Sequence, residues 1–175
     1  FDSMYFLEEL RSQERLPFEH WAILDHDMLN WAANRIASNE GKQFSLVITA
    51  TSHVPFTYTP SRNREFFKGN DELVPSYLDS IHYVDRAIGD FVRALPKDTL
   101  VVIYGDHGAF VSSPEHGYEN LEYEGVALVP FLIHQVGRDI HGLQRSRDTD
   151  LARSGKLTLL DMMSYVHGVM RRHNA

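Results

Sequence analysis

Apolar positions along the chain alternate between helical and strand periodicities. The stretch "DHDMLNWAANRIAS", 25–38, offers Asp25 and Asp27 as candidate helix caps and then places Met28, Leu29, Trp31, Ala32 and Ile36 on one helical face. "FSLVITAT", 44–51, is short, β-branched and apolar, which predicts a strand buried on both faces. From Leu73 to Leu95 an apolar stripe recurs at helical period through Tyr77, Leu78, Ile81, Val84, Ile88, Phe91, Val92 and Leu95, with Asp79, His82, Arg86, Asp90 and Arg93 largely off it. "TLVVIYG", 99–105, predicts a second buried strand and "VALVPFLIH", 126–134, a third. Pro130 lacks a ladder donor and so points to an edge or a bulge in that third strand. "KLTLLDMMSYVHGVMRR", 156–172, predicts a closing helix with basic residues at its C-terminal end.

Strand, helix, strand implies an α/β fold with a mostly parallel sheet flanked by helices, joined by right-handed crossovers. If strands 44–51 and 99–104 run parallel, their carboxyl ends share the sheet edge at which open α/β folds bind ligands. His53 and the pair Asp106 and His107 then meet at that edge. Between the first strand and the long helix, "SHVPFTYTPSRNREFFKGND", 52–71, reads as a long exposed loop, a type that is usually functional in compact domains. No internal repeat or domain boundary interrupts residues 1–175, which read as a single domain.

Composition narrows the classes. With 175 residues and 43% hydrophobic content the chain can bury a sizeable core. Seventeen basic against 24 acidic residues give a net charge of -7, which argues against general electrostatic binding of nucleic acid. An anionic substrate therefore requires a local cation. The chain has no cysteine, which excludes thiolate metal sites and disulfides. No apolar run approaches the roughly 20 residues of a membrane span. A first residue of Phe1 rather than Met suggests a fragment of a longer protein.

The candidate chemistry centres on "YGDHG", 104–108. Neighbouring side chains in a strand point to opposite faces, so Asp106 and His107 can reach one ion only where the strand has ended. Gly105 and Gly108 permit the backbone angles or close approach of such a turn. A carboxylate with a neutral imidazole suits Zn²⁺ or Mn²⁺, and two ligands are too few for a closed site. The plainer alternative is that Asp106 accepts loop amides and His107 is a surface residue. His53 stands before Val54–Pro55, where the residue preceding proline is biased toward extended geometry, suiting a positioned donor to an oxyanion or phosphate. A loop histidine bonded to its own turn is the alternative there. His116, in "SSPEHGYEN", is a weaker candidate of the same kind.

In order and spacing, "FDSMYF", "WAILDHDML", "SHVPF", "YLDSIHYVDRAIGDFV", "TLVVIYGDHG", "VPFLI" and "LTLLDMM" resemble a known family. It is the C-terminal half of the sulfatase-like catalytic domain of lipoteichoic acid synthases and related phosphoglycerol transferases, in the alkaline phosphatase superfamily. The resemblance covers most of the chain and implies a partial alkaline-phosphatase-like fold. It makes Asp106 and His107 ligands of a divalent metal, Mn²⁺ or Zn²⁺, and gives His53 a contact to the substrate phosphate; His116, as a weaker second metal ligand or phosphate contact, rests on its residue type alone. It further implies a phosphoglycerol-type lipid headgroup donor and a glycan or glycerol-phosphate acceptor. The site then lies on the extracytoplasmic face of the membrane, in a parent protein with a membrane anchor.

The family mechanism uses a metal-activated threonine that forms a covalent phosphoglycerol intermediate. That threonine and a further acidic ligand precede the segment matching "FDSMYF", so no residue here is assigned as nucleophile, and Thr49, Thr51 and Ser52 are not promoted to the role. The expectation is a chain inactive alone, with a partial sheet whose open faces and edges favour self-association. Phosphoethanolamine transferases, sulfatases and phosphodiesterases of the superfamily remain alternatives, as does a non-catalytic interaction module.

Overall fold

The structure, a computed structural model, describes residues 2–18, 22–66, 73–108 and 129–137. Within them lie α1 (Leu7–Ser12), α2 (Asp25–Ser38), a 3-10 turn (Ser61–Asn63), α3 (Leu73–Ala94), β1 (Leu100–Tyr104) and β2 (Phe131–Gln135).

Helix α2 follows the predicted span, but Asp25 is not its cap. Leu24 occupies the cap position with no side-chain hydrogen bond, and Asp25 is the first helical residue. Leu29, Ala32 and Ala33 are buried, and the two alanines suit close approach to α3. The N-terminal segment lies against the same helix. Tyr5 meets Trp31 edge to face at 5.1 Å, and the Arg35 guanidinium sits 4.4 Å from the Tyr5 ring centroid.

Helix α3 ends one residue short of the predicted Leu95, but its buried face is rotated from the apolar stripe. Ser76, Asp79, Ser80, Tyr83 and Ala87 line the interior together with Val74 and Val84, whereas Leu78 and Ile81 are exposed. Asp79 was expected off the core and is instead almost fully buried, because its carboxylate is satisfied by loop amides. Two apolar clusters join the layers. Leu24 packs with Tyr83, Val84 and Ile88, and Ala33 packs with Leu95, Val101, Phe91, Val92 and Val136. The second cluster seats the sheet against the C-terminal ends of α2 and α3.

The described sheet differs from the mostly parallel one expected. It has two strands, β1 and β2, running antiparallel with Val102 opposite Ile133. Bonds from Val136 N to Thr99 O at 2.9 Å and from Gly105 N to Pro130 O at 3.2 Å extend the pairing beyond both ends. Pro130 therefore marks the start of β2: it accepts from Gly105 while lacking a donor of its own. The described part of the predicted 126–134 strand forms only from Phe131 onward, and 126–128 lie outside the described residues.

Residues 44–50 form no strand, and Phe44, Leu46 and Ile48 are 74%, 52% and 76% exposed. An apolar, β-branched run reports a capacity for burial in a sheet, but a strand also needs a neighbour to share its ladder, and β1 pairs with β2. The predicted 156–172 helix lies outside the described residues.

Tyr83 gives this core a pH signature. Burial, reinforced by the charge of Asp27, pushes its phenol from 10.0 up to about 12. Between those values an unfolded tyrosine ionises while Tyr83 keeps its proton, so the folded state binds more protons and stability falls as pH rises. The expected loss is about 2 kcal/mol across that window, and Tyr83→Phe should remove it. Denaturant midpoints of both proteins on either side of the window check this, and equal alkaline losses in the two would refute it.

Candidate functional site

His53 sits in a turn rather than in extended chain. Its N–H donates to Ala50 O at 3.1 Å and its carbonyl accepts from Phe56 N at 2.9 Å. The Val54–Pro55 peptide is cis, and Phe56 follows with φ 65. A phenylalanine holds that left-handed conformation only where its surroundings over-determine it. Here its ring is almost fully buried and meets Tyr77 of α3 edge to face at 5.1 Å. The expected long exposed loop is therefore anchored: Phe56 and Thr59 within it are buried, as is Thr51 just before it.

Two buried aspartates hold this loop at its ends. Asp25 Oδ1 accepts from Ala50 N at 2.8 Å and Thr51 N at 3.0 Å, while Asp25 N donates to Thr51 Oγ1 at 2.9 Å. From α3, Asp79 Oδ1 accepts from Glu65 N at 2.6 Å and Phe66 N at 2.8 Å. Between them Arg64 donates to the carbonyls of Thr59 and Thr57. Desolvation raises the Asp25 carboxyl above its ordinary value of 3.8, against the lowering effect of the Ala50 and Thr51 bonds.

Asp106 and His107 lie just past the end of β1, with side chains 84% and 64% exposed. Their atoms converge: His107 Nε2 is 3.6 Å from Asp106 Oδ2. Asp106 Oδ1 accepts from His107 N at 2.9 Å, which orients the carboxylate. His107 Nδ1 lies 2.8 Å from Gly108 O. A carbonyl only accepts, so Nδ1 carries the proton and Nε2 of the neutral ring is left with its lone pair. Ligands at about 2.0–2.2 Å from one cation, at tetrahedral to octahedral angles, lie about 3.0–3.5 Å apart. The observed separation is close to that bite, and donation of the second ring nitrogen to a carbonyl is the usual support of a metal-binding histidine. The pair thus fits a divalent cation. Among the described residues no group of three or more His, Asp or Glu gathers to complete such a site.

Gly105 makes this turn possible through close approach rather than through an unusual φ, since the positive-φ glycines among the described residues are Gly41 and Gly137. A Cβ on Gly105 would lie 3.1 Å from Val129 Cβ and 3.4 Å from Pro130 Cδ.

His53 and the Asp106–His107 pair are carried by different elements, and no ladder between 44–50 and β1 sets the shared edge that a parallel pairing would give. His116 lies outside the described residues. The aspartates that hold the His53 loop were not legible as such from the sequence. The available signal was the small polar stripe of Ser76, Asp79 and Ser80 at helical spacing beside an otherwise apolar helix.

Comparison with known proteins places these features in context. The sequence profile of the family described as Sulfatase matches residues 1–149. The lipoteichoic acid synthase of Staphylococcus saprophyticus is 28% identical over 120 residues, 65% of this chain and 18% of that protein. A lipoteichoic acid synthase-like protein of Bacillus subtilis is 26% identical over 132 residues, 67% of this chain and 21% of its own length. The lipoteichoic acid synthase of Staphylococcus aureus strain USA300 is 28% identical over 107 residues, 57% of this chain and 16% of that protein. The chain thus spans about a fifth of the length of these relatives. No solved structure gives a significant match. No helix among the described residues is long and apolar enough to cross a membrane.

Gly105→Ala should lower stability by about 1–3 kcal/mol, because Val129 and Pro130 must move to admit the methyl group. Denaturant unfolding of the variant measures this, and an unchanged midpoint would show that the 129–130 backbone yields freely.

Proposed function

The chain belongs to the sulfatase family, and on that premise we propose that it forms part of a metal-dependent phosphoglycerol transferase acting on a lipid headgroup donor, as in lipoteichoic acid synthases. Membership implies the alkaline-phosphatase-like α/β architecture. The observation that carries the finer reading is the convergence of Asp106 Oδ2 and His107 Nε2 at 3.6 Å beyond the end of β1. The relatives' names, lipoteichoic acid synthase and a synthase-like protein, support the substrate class that the family resemblance implies, a phosphoglycerol donor with a glycerol-phosphate or glycan acceptor.

In this reading Asp106 and His107 hold a divalent cation, Mn²⁺ or Zn²⁺. When bound, the cation supplies charge compensation at the transferring phosphoryl group and lowers the pKa of the attacking hydroxyl. An acidic chain with a net charge of -7 needs such local compensation to accept an anionic headgroup.

His53 supplies the second contact. Its Nδ1 lies 2.8 Å from Val54 O, and since a carbonyl only accepts, the proton resides on Nδ1. A ring N–H of an imidazole suits a phosphate oxygen, which is the contact this reading gives His53.

The nucleophilic threonine of the family has no counterpart assigned in this chain. Thr51, two positions before His53, is buried and its Oγ1 accepts the Asp25 N–H, which supports a structural use. The 175 residues alone are therefore expected to bind and not to turn over. The donor being a membrane lipid, the complete site works at the extracytoplasmic membrane face.

Calorimetric titration of Mn²⁺ and Zn²⁺ into the chain tests the reading. One cation should bind per chain, and Asp106→Ala or His107→Ala should each weaken it at least about 10-fold. Saturable binding of glycerol phosphate to the Mn²⁺-loaded chain, weakened by His53→Ala, is the second expected result. Absence of metal binding would remove the half-site, and tighter binding of a sulfate ester would move the chain to a sulfate-handling branch.

A further inference from the structure

We propose that Asp25 is the positioning residue for His53, fixing the turn that presents the imidazole through the amides of Ala50 and Thr51. The proposal rests on the phosphate-contacting role of His53 given above, and it adds the residue that sets that side chain's place. Asp25 has no exposed surface and lies at the start of α2, 28 positions before His53.

Connection between the two is short and made entirely of hydrogen bonds. Oδ1 of Asp25 receives both Ala50 N–H and Thr51 N–H, at 2.8 and 3.0 Å. The Thr51 hydroxyl returns an acceptor to Asp25 N at 2.9 Å, so the contact is reciprocal. The carbonyl of Ala50, on the residue thus held, accepts His53 N–H at 3.1 Å. Three bonds therefore fix the peptide units from which the His53 turn springs, and Phe56 fixes its far side against Tyr77.

Burial sharpens the choice of this residue. Asp25 Oδ2 has no hydrogen-bond partner and is buried. A fully buried carboxylate is tolerated where amide donors meet it, and an unmatched oxygen favours the protonated acid. An asparagine offers nearly the same outline: Oδ1 still accepts the two amides, and Nδ2 occupies the place of the unpartnered oxygen. An alanine offers no acceptor. The acceptor, not the charge, is what the turn requires.

The test uses the 175-residue chain labelled for NMR, with Asp25→Asn, Asp25→Ala and Thr51→Val. In Asp25→Ala, exchange of the Ala50 and Thr51 amides should rise at least about 10-fold, the fraction of open turn rising with loss of two buried bonds. The His53 ring Cε1–H resonance should move with it, while amides in the middle of α3 stay protected. Asp25→Asn should restore both signals, and Thr51→Val should give a smaller shift at His53 with α2 intact. Should the alanine variant fail to fold, the asparagine and valine variants decide. An unmoved His53 resonance in Thr51→Val overturns the proposal, as does an Asp25→Asn variant whose turn opens fully. Glycerol phosphate affinity is read separately. If His53→Ala leaves it unchanged, the phosphate reading fails while the Asp25 connection stands on amide exchange.

Discussion

A carboxyl group with no exposed surface has to be met by donors, and this requirement organises the described part of the molecule. Leaving such a group unsatisfied costs several kcal/mol, comparable with much of a domain's net stability. Asp25 meets it by drawing in the backbone at Ala50 and Thr51, and Asp79 does the same with Glu65 and Phe66. The two aspartates sit on α2 and α3, which share the Leu24, Tyr83 and Val84 cluster. The loop bearing His53 is thereby suspended between two packed helices rather than extended from a sheet strand. Asp106 and His107 depend on the other device, the β1–β2 pair, and the two devices join where Val101 meets Ala33 and Leu95.

The sequence patterns that proved legible were those in which apolar side chains do the packing. Helix α3 was readable almost to its last residue, because a long stripe at helical period has few alternative explanations. β1 was readable as a short β-branched run ending at glycine, whereas Pro130, expected at an edge or bulge within a strand, instead precedes the first residue of β2. Asp25 and Asp79 were misplaced, one as a cap and the other as a surface charge. Both are buried through hydrogen bonds to amides distant in sequence, and hydropathy carries no record of such partners. The rotation of α3, which puts Ser76, Asp79 and Ser80 inside and leaves Ile81 exposed, has the same origin.

Residues 44–50 show the complementary limit. Their apolar pattern specifies a preferred environment, and a strand exists only when a neighbour supplies the other half of each backbone bond. The sheet formed by β1 takes its partner from β2 in antiparallel fashion, a pairing that hydrophobic runs do not distinguish from a parallel one. Within the candidate site the chemistry-bearing residues were legible as residue types, and their local geometry was not. The convergence of Asp106 and His107 depends on the turn after Gly105, where Val129 approaches closely enough to crowd any Cβ.

The two histidines solve one problem in the same way. His53 holds its Nδ1 at 2.8 Å from Val54 O, and His107 holds its Nδ1 at 2.8 Å from Gly108 O. In each case the following residue's carbonyl accepts the Nδ1 proton and so fixes the tautomer. A neutral ring so held offers a lone pair, suited to a cation; the protonated ring offers a hydrogen, suited to an anion. Asp106 Oδ2 lies 3.6 Å from His107 Nε2, so a carboxylate oxygen stands beside that ring edge. At His53 the turn held by Asp25 presents the same ring edge within a different set of neighbours. The two rings thus share one local motif, and the groups that the surrounding backbone brings beside each ring are what distinguish them.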